Sequence, residues 1–193
     1  MIERLEDVRA DIAARLTEAV RDRRSPMHVP TIVTSDVDAR VMVLRGFDKE
    51  GWRLRFHTDM RAPKVRAIAA DPRMAVLLYD KPAKIQLRLR GKGQVLCDHP
   101  LADQAWQDST NFARRCYLGD GPGTASEVST SGLPARFEGA EPSDDELVPA
   151  RANFAVIDLR ITHADWFHLA HTGHVRAQFT RDGDAWEGRW CSP

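Results

Sequence analysis

The sequence predicts a mainly β domain, an antiparallel barrel or strongly coiled sheet flanked by helices. Three observations carry this. Apolar and polar residues alternate in 51–57, where Trp52, Leu54 and Phe56 interleave with Arg53, Arg55 and His57, and again where Ile85, Leu87 and Leu89 interleave with Gln86, Arg88 and Arg90. A period of two sends one set to the core and the other to a polar face. The runs are joined by short interruptions such as Phe47–Gly51, Asp80–Pro82 and Asp182–Asp184, which suit antiparallel neighbours rather than repeated strand–helix units.

The elements follow in order. Leu5, Val8, Ile12 and Leu16 recur every three or four residues among charged ones, which predicts an amphipathic helix from about 3 to 21 that covers the sheet. Pro26 ends this region, because the residue before proline avoids helical geometry. Residues 29–34 read as a strand. Residues 39–47 are apolar on both sides, so a central strand is expected there. The strand at 51–57 leads to a short helix at 62–70 with Pro63 in its first turn, where a missing amide hydrogen costs little. Strands at 73–79 and from 85 to about 97 come next, with Gly91 and Gly93 marking a bulge or bend. Residues 100–112 read as a helix. From 118 to 147 periodicity disappears among glycines and prolines, leaving a long loop. Strands return at 153–161, 173–180 and 185–190.

A chain of 193 residues with 42% hydrophobic content suffices for one domain spanning 1–193. No run approaches ~20 apolar residues, and the first residues lack a secretory core; a cytoplasmic protein with no membrane segment is expected. Cys97, Cys116 and Cys191 are too scattered for a disulfide framework. Equal numbers of basic and acidic residues, 28 each, argue against a general nucleic-acid binder.

The chemistry-bearing residues narrow the reading further. His163, His168, His171 and His174 have spacings that fit neither a zinc signature nor a His-Glu-x-x-His helix, so no metal is assigned. The serines between 126 and 131 lack a strand–turn–helix nucleophile setting, and no glycine motif of the common nucleotide folds is present. Arg114 and Arg115 follow a helix, as an anion site or a solvated charged end. Arg40, Thr58 and Lys64 combine a planar fork, a hydroxyl and a mobile point charge, a set suited to phosphate. The backbone of Val41, Met42 and Val43 and the amide of Gln86 offer donors and acceptors to a planar ring. The residues alone leave two readings open, a phosphorylated planar cofactor and ordinary exposed sheet chemistry.

Arg40-Val41-Met42-Val43-Leu44-Arg45, Phe56-His57-Thr58-Asp59, Lys64, Asp71-Pro72-Arg73 and Gln86 followed by Gly91 together resemble the pyridoxamine 5'-phosphate oxidase family. Ser129, Trp166, Arg176 to Phe179, Trp186 and Pro193 extend a weaker likeness. The resemblance implies a six-stranded antiparallel split β-barrel with flanking α-helices, and a homodimer with FMN at the subunit interface. It also implies roles. Arg40, Thr58 and Lys64 would hold the FMN phosphate, the Val41–Val43 backbone would meet the ring, Gln86 would approach from the partner subunit, and Ser129 and Trp166 would close the cleft. Oxidoreductase chemistry would come mainly from the flavin.

Departures from the family pattern bear on the substrate. His57 stands where a tyrosine is usual and is a second-tier titratable group at the cofactor site. Ala62-Pro63 replaces Ser-Arg before Lys64, with Arg61 or Arg66 as compensation, and Val128 replaces a glutamine before Ser129. Where the family binds substrate phosphate with lysine, tyrosine, arginine and serine, this chain has Arg45, Asn111, Arg115 and Gly119. Arg176 only approximates the family's carboxy-terminal Arg-x-His. The expectation is an FMN-dependent oxidoreductase acting on an unknown small molecule, with Arg45, Arg115 and His57 as substrate-orienting candidates and no catalytic residue assigned. Alternatives are a noncatalytic flavin-binding protein, true pyridoxamine 5'-phosphate oxidase and, more remotely, heme handling.

Overall fold

The computed structural model describes residues 2–193. Helix α1 (Leu5–Arg21) buries Val8, Ile12, Ala13, Leu16 and Ala19 along one stripe, and each large aliphatic side chain so removed from water contributes about 1.5–3 kcal/mol. Asp11 on the same helix accepts from Trp166 Nε1 at 2.8 Å and from Arg15 Nε at 2.8 Å, while Arg15 reaches Asp80 at 2.7 Å. Those bonds fix the rotation of the helix over the sheet.

Strands β1 (Thr31–Thr34), β2 (Ala39–Val41), β3 (Gly46–Asp48) and β4 (Arg53–Asp59) precede helix α2 (Pro63–Ala70), which carries proline in its first turn as expected. Strands β5 (Arg73–Asp80) and β6 (Ile85–Leu96) form the next hairpin, followed by α3 (Pro100–Gln107) and α4 (Asn111–Arg114). The helix expected over 100–112 is thus two, because Thr110 leaves helical geometry and caps α4 by accepting from Ala113 N. After a long irregular segment come α5 (Asp144–Leu147) and strands β7 (Phe154–His168), β8 (Val175–Asp182) and β9 (Ala185–Cys191).

The six-stranded split barrel is not what the chain forms. The fold is mixed α/β, built on one nine-stranded antiparallel sheet whose path runs β2-β1-β5-β6-β7-β4-β3, with β8 and β9 branching from β7. It does not close into a barrel. The branch arises because β7 is 15 residues long. Its first half pairs with β4 and its second half with β8, while β6 runs along both. A register shift between Arg90 and Gly91 gives β6 the bend expected from its glycines. A Cβ at Gly91 would collide with the Arg160 carbonyl.

The central strand expected at 39–47 is also corrected. It is two three-residue strands at opposite ends of the sheet path, β2 on β1 and β3 on β4. Residues 42–45 cross between them with isolated hydrogen bonds, Met42 N to Pro30 O, Leu44 N to His28 O and Arg45 N to Arg55 O. Its apolar residues face different surroundings: Leu44 enters the core, whereas Val41 is 67% exposed. Apolarity on both sides therefore marks a crossing segment here rather than a buried strand.

Segment 118–147 is largely irregular yet tied down. Arg115 Nη1 donates to the carbonyls of Phe137, Glu138 and Ala140, and Asn111 Nδ2 to Pro142 O and Asp144 Oδ1. Ser143 and Glu146 form a capping box at α5. No helix among the described residues is long and apolar enough to cross a membrane.

Candidate functional site

Two groups of charged residues meet beside the crossing segment. In the first, Arg40 on β2 donates to Thr34 Oγ1 at 2.9 Å and pairs with Asp38. Lys64, in the first turn of α2, lies near enough that Arg40 depresses its basicity; burial is the larger cause, and Asp59 and Asp38 oppose both. Asp59 is itself held by Arg61 at 2.7 Å, and Arg61 also donates to Gly119 O at 3.0 Å. Arg61 is therefore committed to the loop and to Asp59. Four carboxylates bear on these three cations, Asp38 and Asp36 on Arg40 and Asp59 and Asp120 on Arg61, so the group offers cationic donors of the kind that bind phosphate without carrying a net positive charge. Thr58 is buried at the end of β4, with its hydroxyl 3.4 Å from the Asp59 carbonyl.

The second group lines a cleft between the crossing segment and α3–α4. Met42, Val43, Arg45, His57, Phe112, Arg115 and Tyr117 surround one lobe; Arg23, Arg45, Arg55 and His57 surround an adjoining one. Burial, then the charges of Arg45 and Arg55, lower His57 to about 4, so its ring is neutral near pH 7 and offers one donor and one acceptor. Burial pushes the Tyr117 phenol up, leaving it a protonated donor. Arg115 stacks over Phe112 at 3.6 Å and spends Nη1 on loop carbonyls. Of the expected substrate-orienting residues, Arg45 and His57 face the cleft freely, while Arg115 and Asn111 hold the loop that walls it.

Other expected site residues lie elsewhere in the chain. Trp166 is buried under α1, bonded to Asp11, rather than at the wall of this cleft. Ser129 sits in the exposed part of the long loop. Gln86 is opposite Phe167, and Arg176 is opposite the same residue on the other side. Arg176 is paired with Asp165 at 2.7 Å; Asp165 also accepts from Gln178 and Arg88. Gln86 and Arg176 thus occupy the outward sheet face, along which Val41, Thr31, Leu77, Arg88 and Asp165 stand in one cross-strand row. One chain brings together Arg40 with Lys64, and Met42 and Val43 with Arg45 and His57, but does not bring Gln86, Ser129, Trp166 or Arg176 to them. Sequence reasoning passed over Arg55 and Arg23 as site residues. The signal for Arg55 was present, since it alternates onto the same face of β4 as His57.

Arg40 and Lys64 thus lie next to a cleft lined by both apolar and cationic side chains. Residues 10–97 match the family described as pyridoxamine 5'-phosphate oxidase, FMN-binding domain. A pyridoxine/pyridoxamine 5'-phosphate oxidase of Gluconobacter oxydans is 26% identical, with 93% of each chain covered. One from Bradyrhizobium diazoefficiens is 31% identical over 80 residues, 39% of this chain and 37% of the relative. Among solved structures, a pyridoxamine 5'-phosphate oxidase-related, FMN binding protein of Nostoc punctiforme superposes with a TM-score of 0.76 at 24% identity, covering all of both chains. PhzG of Burkholderia lata, in complex with tetrahydrophenazine-1-carboxylic acid, gives 0.65 at 16% identity, covering 98% and 92%; both likenesses show a shared fold. Over residues 10–97 the chain is thus similar to the pyridoxamine 5'-phosphate oxidase FMN-binding domain, and over its whole length it shares the fold of such proteins.

Proposed function

We propose that the protein is an FMN-dependent oxidoreductase acting on a small-molecule substrate other than pyridoxamine 5'-phosphate. The observation that carries this reading is the juxtaposition of Arg40 and the half-buried Lys64 next to the Met42–Val43 cleft wall. Arg40 and Lys64 would hold the FMN phosphate, with Thr58 beside them, and Met42 and Val43 would border the ring. When bound, FMN supplies two-electron redox chemistry; the protein supplies position and field. His57, neutral and half-buried, and Tyr117, held protonated, orient ligands by hydrogen bonds, and Arg45 attracts an anionic substrate into the cleft.

The native substrate is set apart from pyridoxamine 5'-phosphate by Asn111 and Arg115. Both stand at positions where the family contacts substrate phosphate, and both are occupied in fastening 137–144. A homodimer completes the reading. The outward row containing Val41, Leu77 and Arg88, with Tyr79 also exposed, is the surface on which a second copy would bring its Gln86 and Arg176 region towards the first chain's flavin. Anaerobic flavin reduction by nicotinamide cofactors, followed by steady-state turnover with oxygen or organic acceptors, tests the enzymatic part. Sustained turnover supports an oxidoreductase. Retained flavin without turnover under any pairing would support a noncatalytic flavin-binding protein, and pyridoxal 5'-phosphate formation with oxygen uptake would overturn the substrate assignment.

A further inference from the structure

Arg55 is a cation without a carboxylate. On β4 it stands directly opposite Asp158 of β7, a register in which opposite charges stabilise a sheet. Yet both Asp158 oxygens accept from Arg53 Nε, at 3.1 and 2.9 Å. Arg55 Nε is buried with no hydrogen-bond partner, and its guanidinium lies against Gly46, where any Cβ would collide with it. Leaving a buried donor unmade is costly, so the position is explained best by a ligand that completes it.

Two further guanidiniums reach the same lobe. Arg45, from the crossing segment, and Arg23, from the turn after α1, line it together with Arg55 and His57. Neither makes an ion pair among the described residues; the pairs that do form use other arginines. The one carboxylate lining the lobe, Asp108, already accepts from Gln104 at 2.8 Å. Three cations facing one acid leave a surplus of two positive charges. A single negative charge would leave one of these positive charges unmatched beside the buried Arg55 Nε.

Building on the flavoprotein reading, we propose that Arg55 and Arg23 form with Arg45 an anion subsite that binds a doubly charged acidic group of the substrate. The group is a phosphomonoester or a pair of carboxylates, and the reacting end of the molecule extends towards Met42 and Tyr117 in the adjoining lobe. Arg55 contributes a planar fork held in place by Gly46, and Arg23 closes the outer rim. Arg45 alone would offer one fork; the three together select charge as well as shape.

The test uses the full-length protein reconstituted with FMN and follows the His57 ring by NMR during titration with inorganic phosphate, isophthalate or benzoate. The titration is run at about pH 8, where phosphate and isophthalate are both dianions and benzoate a monoanion, and binding of a dianion beside His57 shifts its ring resonances saturably. Phosphate acting alone identifies a phosphomonoester site and isophthalate acting alone a dicarboxylate site; either supports the proposal. Arg55→Gln and the exposed Arg23→Gln each weaken that binding about 10-fold. Arg23 is on the surface, so its variant tests the subsite even where Arg55→Gln fails to fold. The proposal is overturned if neither dianion moves His57, if benzoate binds as tightly as the dianions, or if both variants bind like the parent. A dianion effect in protein that cannot retain FMN would keep the subsite and reject the flavin reading, whereas retained FMN with no dianion effect would do the reverse.

Discussion

Replacing Lys64 with methionine separates the contribution of the cationic group to ligand binding from its effect on stability, because the two respond in opposite directions. In the apo protein the ammonium is half-buried, repelled by Arg40, and faces Asp38 and Asp59, each already paired with an arginine. Removing it relieves desolvation and repulsion while a methionine of similar length fills the same space. The expected gain is roughly 0.5 kcal/mol, or about 1–2 °C in Tm for a chain of this size. Basicity depressed in the folded state means the unfolded chain binds the proton more tightly. Stability of the parent therefore rises with pH as the window below 10.5 is crossed, and Lys64→Met flattens that limb. For FMN the sign reverses. One charge-assisted phosphate contact is lost while Arg40 remains, so affinity falls roughly 10- to 100-fold. Urea melts of apo protein and fluorescence titration with FMN measure both. A variant destabilised by more than ~1 kcal/mol that binds FMN as the parent does would refute the reasoning, since Lys64 would then be structural.

Further outcomes follow from single contacts. Asp158→Ala removes the partner of Arg53, whose side chain is 39% exposed; water can rehydrate it, so the loss is about 2 kcal/mol rather than the larger penalty of a fully buried pair, read from urea midpoints. Gly91→Ala forces a methyl into the Arg160 carbonyl and costs about 3 kcal/mol, with loss of amide protection along the β6–β7 ladder in hydrogen exchange. His57 titrates at about 4 against 6.5 when unfolded, so its contribution to stability is complete above 6.5 and is lost as pH falls towards 4; His57→Gln removes that dependence from pH-resolved melts. Burial alone would raise Asp165, but hydrogen bonds from Arg176, Gln178 and Arg88 outweigh it and hold it below 3.8. Its stabilisation is present above 3.8 and disappears at lower pH, and Asp165→Asn abolishes that acid-limb term.

Much of the element order was legible because period-two and period-3.6 patterns were clean. Val8, Ile12 and Leu16 gave α1, the alternation in 53–57 gave β4, and Gly91 gave the bend in β6. Pairing was less legible. Nothing local tells β7 to exchange β4 for β8 halfway along, which is a property of the assembled sheet and turned an expected barrel into an open, branched one. The same limitation misread 39–47, where side chains were apolar for different reasons at successive positions. At the site, the proximity of Arg40 to Lys64 followed from residue type and spacing, whereas Arg45 and His57 entered through the family resemblance. The engagement of Arg115 by the loop carbonyls and the loss of Asp158 to Arg53 did not, because both depend on partners 22 to 105 residues away.

The absorption spectrum of purified protein incubated with FMN and then desalted tests the central claim most directly. A flavin band near ~450 nm retained at roughly one FMN per chain is the predicted result, with the protein holding the redox cofactor in position. A folded protein that emerges colourless would contradict it and leave the Arg40–Lys64 group as an anion site for a different ligand.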